Sequence, residues 1–167
     1  MKYLLDANIF IEAKNRYYGF DFCPAFWDWL IQKNKEKIVF SIEKVLDEIK
    51  AGDDELSEWA SNFDEEFFLR PDEKVFPSFG AVSSWVEDQK YHPSAPNTFF
   101  QGADYYLVAQ ALTHKFVVVT HEIVSVSQKR IKIPNVCMGL GVKFMTPYQM
   151  LRIEKARFVL GKSKSES

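Results

Sequence analysis

A chain of 167 residues has the length of one compact domain with room for a core, and hydrophobic residues at 47% against charged residues at 26% exclude a disordered polymer. Its 21 Lys and Arg against 23 Asp and Glu leave a formal charge of -2, which excludes binding of nucleic acid by bulk charge and leaves a local basic patch open. Cys23 and Cys137 form no CxxC pair, which argues against a zinc ribbon or a disulfide scaffold and for a reducing compartment. Asp6 interrupts the first apolar run, and no segment approaches the ~18 apolar residues that span a bilayer, so a cytoplasmic protein with no membrane association is expected.

Tyr3-Leu4-Leu5 is a short apolar run that reads as a buried strand ending at Asp6. Ile9, Phe10 and Ala13 then recur at helical spacing over residues 7–14, and the polar stretch from Asn15 to Gly19 closes that helix. Pro24 suits the first position of a second helix whose apolar face is Phe26, Trp27, Leu30 and Ile31, ending near Asn34. Ile38-Val39-Phe40 reads as a strand, Ser41 as the N-cap of a helix over 42–50, and Gly52 as its stop. Leu56, Trp59, Ala60 and Phe63 share a stripe of a short helix over 55–63, and Phe67-Phe68-Leu69 is strand or loop. Pro71, Pro77, Pro93 and Pro96 bracket a helical stretch around 81–88. From Gly102 a helix carries Ala103, Leu107, Val108, Ala111 and Leu112, and Phe116 to Val119 is a continuous apolar run of the kind found in parallel sheets. A last strand at 142–145 precedes a helix over 147–156 capped by Thr146, and residues 161–167 read as a disordered polar tail. Alternating strands and helices predict an α/β fold with a mostly parallel sheet, one domain over 1–160, and a ligand site beyond the carboxyl ends of the strands.

The acids at those ends are therefore the candidates for chemistry. Asp6 follows the first strand, Glu122 lies just past the 116–119 run, Asp104 opens a helix, and Glu48 lies one turn before Gly52. Taken singly, each has a plainer explanation. Asp6 can be an N-cap, Asp104 can complement a helix dipole, Glu48 can lie on a solvated face with Glu43 and Asp47, and Glu122 can be a loop acid. If the four converge, their repulsion raises some pKa values or is cancelled by cations, and an all-oxygen set suits Mg²⁺ or Mn²⁺ rather than zinc. Such ions activate water and stabilise a phosphodiester leaving group.

The order and contexts of these acids resemble the PIN domain family of nucleases. The resemblance is carried by Leu4-Leu5-Asp6-Ala7-Asn8-Ile9-Phe10-Ile11, by Glu48-Ile49-Lys50-Ala51-Gly52, by Gly102-Ala103-Asp104 and by Val118-Val119-Thr120-His121-Glu122, and it spans residues 3 to about 150. It implies a PIN-like three-layer α/β/α domain, with Asp6, Glu48, Asp104 and Glu122 at the metal-binding positions and Asn8 as a polar neighbour of Asp6. Ala7 stands where Ser or Thr is commoner and Glu122 where Asp is usual, and Val124 takes the place of a further acid. One resident ion joined by a second with substrate is therefore as open as two. Asp47 rivals Glu48, although the spacing to Gly52 favours Glu48.

Asn8 stands where a haloacid-dehalogenase-type phosphotransferase needs an Asp, and neither a Walker-type nor a dinucleotide-type glycine loop is present. Lys14 and Arg16, and Lys129 and Arg130, are candidates to flank the acids and meet a phosphate backbone, with solvated loops as the alternative. The aromatics from Tyr17 to Trp29 could stack bases or bind a protein, though Phe26 and Trp27 read better as core. The resemblance implies a metal-dependent endoribonuclease acting on RNA, the toxin of a toxin–antitoxin pair with an antitoxin partner and a homodimeric state. The competing expectation is a catalytically degenerate PIN fold that binds RNA or protein.

Overall fold

The computed structural model describes residues 1–161. Five strands form one all-parallel sheet: β1 (Tyr3–Leu5), β2 (Val39–Ile42), β3 (Phe68–Leu69), β4 (Val117–Val119) and β5 (Phe144–Met145), in the order β3-β2-β1-β4-β5. Helices flank it: α1 (Ala7–Glu12), α2 (Pro24–Lys35), α3 (Glu43–Lys50), α4 (Glu55–Ala60), α5 (Phe76–Glu87), α6 (Ala95–Gln101), α7 (Ala103–His114), α8 (Ile133–Leu140) and α9 (Pro147–Ile153). This is the α/β architecture with a parallel central sheet that the sequence predicts. The tail expected over 161–167 lies, from residue 162 onward, outside the described residues.

The central strand explains the order. Tyr3, Leu4 and Leu5 are fully buried, as a parallel strand covered by helices on both faces must be. β1 pairs with β2 on one side and with β4 on the other, so the chain switches direction across the sheet at β1. Beyond the carboxyl ends of two such strands the outgoing segments diverge and leave a crevice. Asp6 follows β1 and Thr120 follows β4, so both residues stand at that crevice.

Several expectations need correction. Ser41 is not an N-cap: it lies inside β2, fully buried, and its hydroxyl donates to the Leu5 carbonyl at 2.7 Å, while Ile42 precedes α3. The first helix runs past Lys14 but does end within the polar stretch from Asn15 to Gly19. It continues through Ala13–Tyr17 as a π-helical turn, in which the Tyr18 amide reaches the Ala13 carbonyl at 2.8 Å. Phe68–Leu69 is a strand, added in parallel to β2. Two helices that the pattern did not suggest, α6 and α8, each carry a proline in their first turn, where the missing amide costs no intrahelical bond. The helix after Thr146 ends at Ile153 rather than 156 but carries the expected cap, with Thr146 accepting from the Gln149 amide and Gln149 accepting from the Thr146 amide. A further constraint couples α8 to α5. A Cβ at Gly139 would lie 2.1 Å from the Trp85 ring, so only glycine admits that approach.

Candidate active site

A cavity of about 420 Å³ opens at the carboxyl edge of the sheet, and Asp6, Glu48, Asp104 and Glu122 all line it. Four elements bring them there: the end of β1, the last turn of α3, the first turn of α7 and the segment after β4. Asn8, Lys129 and Arg130 line the same cavity. Asp47, the rival to Glu48, is exposed and does not reach it, because a one-residue step on a helix turns the side chain by about 100°.

Asp6 is the most deeply set, at 3% exposure. The Thr120 hydroxyl donates to its Oδ2 at 3.0 Å and accepts from the Glu122 amide at 3.0 Å, so a single side chain orients the first acid and the loop that carries the last. Asp6 stands at the N-cap position of α1 but makes no side-chain capping bond there, so capping alone does not account for it. Glu48 Oε1 accepts from the Ala103 amide at 3.3 Å and Glu122 Oε2 from the Ile133 amide at 2.9 Å. These bonds place the two glutamates against the first residues of α7 and α8, where amides lack intrahelical partners and the helix dipole favours negative charge.

Electrostatics follows from this crowding. Burial, and then the charges of Asp104 and Glu122, push the Asp6 carboxyl up to about 8, against the smaller downward pull of its hydrogen bonds. Asp104 is pushed up to about 7 by burial, Glu122 and Glu48, while Arg130 and Lys132 pull it down. Arg130 Nη2 stands 4.0 Å from Glu122 Oε1 and is itself mostly exposed. Near neutral pH the cavity therefore favours protons on Asp6 and Asp104.

The donor set is all oxygen, which suits a hard divalent cation. Two carboxyls held up first by burial and then by neighbouring negative charge are what a cation would relieve, so the residues fit the group that the sequence implies. Among the described residues no three His, Cys, Asp or Glu side chains are already gathered closely enough to hold an ion.

The other predicted positions part company here. Lys14 pairs with Asp54 at 2.9 Å and Arg16 with Glu12 at 3.2 Å, and neither lines the carboxylate cavity. The tight turn before α4 brings Asp54 up to Lys14, a contact between residues 40 apart that spacing along the chain does not show. Sequence reading also missed the wall built by Thr98 and Phe99 of α6 and the reach of Lys132 to Asp104. The run Lys129-Arg130-Ile131-Lys132 already marked the last of these.

Beside this cavity lies a second, of about 600 Å³, which shares Asn8 and Glu122 with it and is walled by Tyr17 and His121. Burial lowers the His121 pKa, with Glu12 opposing.

A family model described as a domain of unknown function, DUF4411, matches residues 3–158. No curated protein matches the chain. Among solved structures, the chain is similar to one in VapBC2 from Rickettsia felis bound to a DNA fragment from their promoter, at 14% identity and TM-score 0.56, covering 87% of this chain and 98% of that one. It is similar to one in FitAcB from Neisseria gonorrhoeae at 18% identity and TM-score 0.52, covering 87% and 98%. A chain of FitAB bound to an IR36 DNA fragment gives 18% identity and TM-score 0.52, covering 87% and 95%. At these identities the likeness shows a shared fold.

Proposed function

Since the chain belongs to the DUF4411 family, a domain of unknown function, we propose from the geometry of its own site that it is a metal-dependent endoribonuclease, the toxin of a toxin–antitoxin pair. The observation that carries this reading is the convergence of Asp6, Glu48, Asp104 and Glu122, from four separate elements, on one cavity at the sheet's switch point. The fold shared with chains of VapBC2 and FitAB, and the motif resemblance to toxin-type PIN nucleases, support the assignment of an antitoxin partner.

Asp6, Glu48, Asp104 and Glu122 would hold Mg²⁺ or Mn²⁺. When bound, the cation supplies activation of water and stabilisation of charge on the phosphate and leaving oxygen. Thr120 fixes the Asp6 carboxylate, and Asn8 presents its amide at the rim of the same cavity. Lys129 and Arg130 offer positive charge at the mouth, where they would neutralise backbone phosphates and offset the carboxylates on approach. The test is cleavage of a labelled single-stranded RNA by the purified chain with Mg²⁺ or Mn²⁺. Asp6→Asn and EDTA should each abolish it, and cutting that survives both overturns the mechanism.

A second reading has one observation in its favour. Glu48 and Glu122 already serve the amides of Ala103 and Ile133, as structural acids do. In that reading the chain binds RNA or a protein without cutting, and a Mn²⁺ titration separates the two. Binding that Asp104→Asn removes favours the nuclease, and no binding favours the degenerate fold.

A further inference from the structure

The second cavity, beside the carboxylates, contains features that metal binding does not use. Tyr17 closes the π-helical turn Ala13–Tyr17, a wide turn rare in helices and common at functional sites. Its ring lies 5.6 Å from the His121 ring at an interplanar angle of 31°. Tyr148, from α9, sets an edge against both, 5.9 Å from Tyr17 at 88° and 6.0 Å from His121 at 64°. The two rings in the wall are thus braced from behind, and Tyr17 is nonetheless 44% exposed. Ile123, 77% exposed, and the cation of Lys132 line the same cavity. Glu12, the other acid there, is paired with Arg16.

We infer that this cavity is a stacking subsite for one nucleobase of a single-stranded polynucleotide whose adjoining phosphate lies in the carboxylate cavity; the inference rests on the nuclease reading above. Continuity selects this occupant. The two cavities share Asn8 and Glu122, so a strand that presents a phosphate on one side of that wall carries its next nucleoside to the other. A planar base has a face for Tyr17 and His121 whatever its identity, and Lys132 can meet a flanking phosphate. A duplex keeps its bases stacked on one another and cannot use the subsite.

The test is a coupling experiment on Asp104→Asn protein, which is not expected to cut. Binding of a short labelled single-stranded RNA is measured by anisotropy, with one abasic position moved along the strand. Tyr17→Ala should weaken binding of the intact strand by roughly 10-fold or more, His121→Ala should weaken it in the same direction, and Tyr17→Phe should retain it. One abasic position should cause a similar loss in the Tyr17 protein and no further loss in Tyr17→Ala. Independent, multiplying losses overturn the subsite, as does unchanged affinity in Tyr17→Ala, the result expected if this surface serves a protein instead. Cleavage of the same strand by the unsubstituted chain is read separately. Coupling without cleavage supports the subsite and removes the nuclease reading, whereas cleavage without coupling removes the subsite alone.

Discussion

The two edges of the sheet carry charge in opposite ways. At the carboxyl edge, Asp6, Glu48, Asp104 and Glu122 line a cavity of about 420 Å³, and the two aspartates are set deep enough to repel their neighbours through a poorly hydrated interior. At the amino edge a cavity of about 510 Å³ is lined by Lys2, Lys115 and Lys143 over a floor that includes Ala111, Phe116 and Val117. Those three lysines are exposed, their stems free to cover apolar floor while the ammonium groups stay in water. Like charges gathered in solvent cost little, because water and salt screen them. The buried acids resist ionisation in the folded state, first through burial and then through their neighbours' charge.

The largest break in this contrast is Asp6→Asn. It should bring RNA cleavage down to background, whereas Lys143→Ala at the other edge should leave turnover unchanged; equal losses in a gel-based cleavage assay would erase the distinction. The pH dependence comes next. Asp6 and Asp104 sit at about 8 and about 7 in the folded chain, above their ordinary 3.8, so folding favours their protonated forms. Their contribution to stability is complete below pH 3.8 and is lost as the pH rises through about 7 to 8. Metal-free wild type should therefore lose more melting temperature than Asp104→Asn between pH 5 and pH 8, and Mn²⁺ should restore much of that loss at pH 8. Parallel melting curves for the two proteins would contradict the raised pKa of Asp104.

Smaller effects sharpen the same comparison. Thr120→Val removes the hydroxyl that orients Asp6 and holds the Glu122 amide, and should weaken Mn²⁺ binding by about 10- to 100-fold in calorimetry while the fold survives. At the amino edge, Lys115 ends α7 with φ at 57°, a left-handed conformation in which glycine is at ease. Lys115→Gly should raise stability by up to about 1 kcal/mol in denaturant unfolding and leave cleavage untouched. A change in cleavage there would show that the two edges are coupled.

Those elements that local pattern controls were legible. The run Tyr3-Leu4-Leu5 is apolar on both sides because β1 is covered on both faces, and Thr146 with Gln149 forms a capping box that any chain could read locally. The misreadings have a common cause. Ser41 has the chemistry of an N-cap and is instead a buried donor to the Leu5 carbonyl, 36 residues away. Lys14 looked free to meet phosphate until Asp54 arrived beside it. Tyr17 was one of many aromatics until a π-turn and α9 set it against His121. α8 was hidden by its proline and by Gly139 and Gly141, although one of these glycines admits Trp85 and the other, at φ 71°, ends the helix.

By itself the sequence determined which chemistry was available: carboxylates at the ends of elements, oxygen donors without thiolates or paired histidines, and an alternation of strands and helices that places ends together at one edge. Only the tertiary structure decided that the four acids share a cavity and that Arg130 and Lys132, rather than Lys14 and Arg16, come near enough to favour the Asp104 carboxylate. The physical reason is range. Helix and strand periodicity act over a few residues, whereas the hydrogen bond that fixes Asp6 comes from Thr120, 114 residues away, and exists only because β1 and β4 lie side by side.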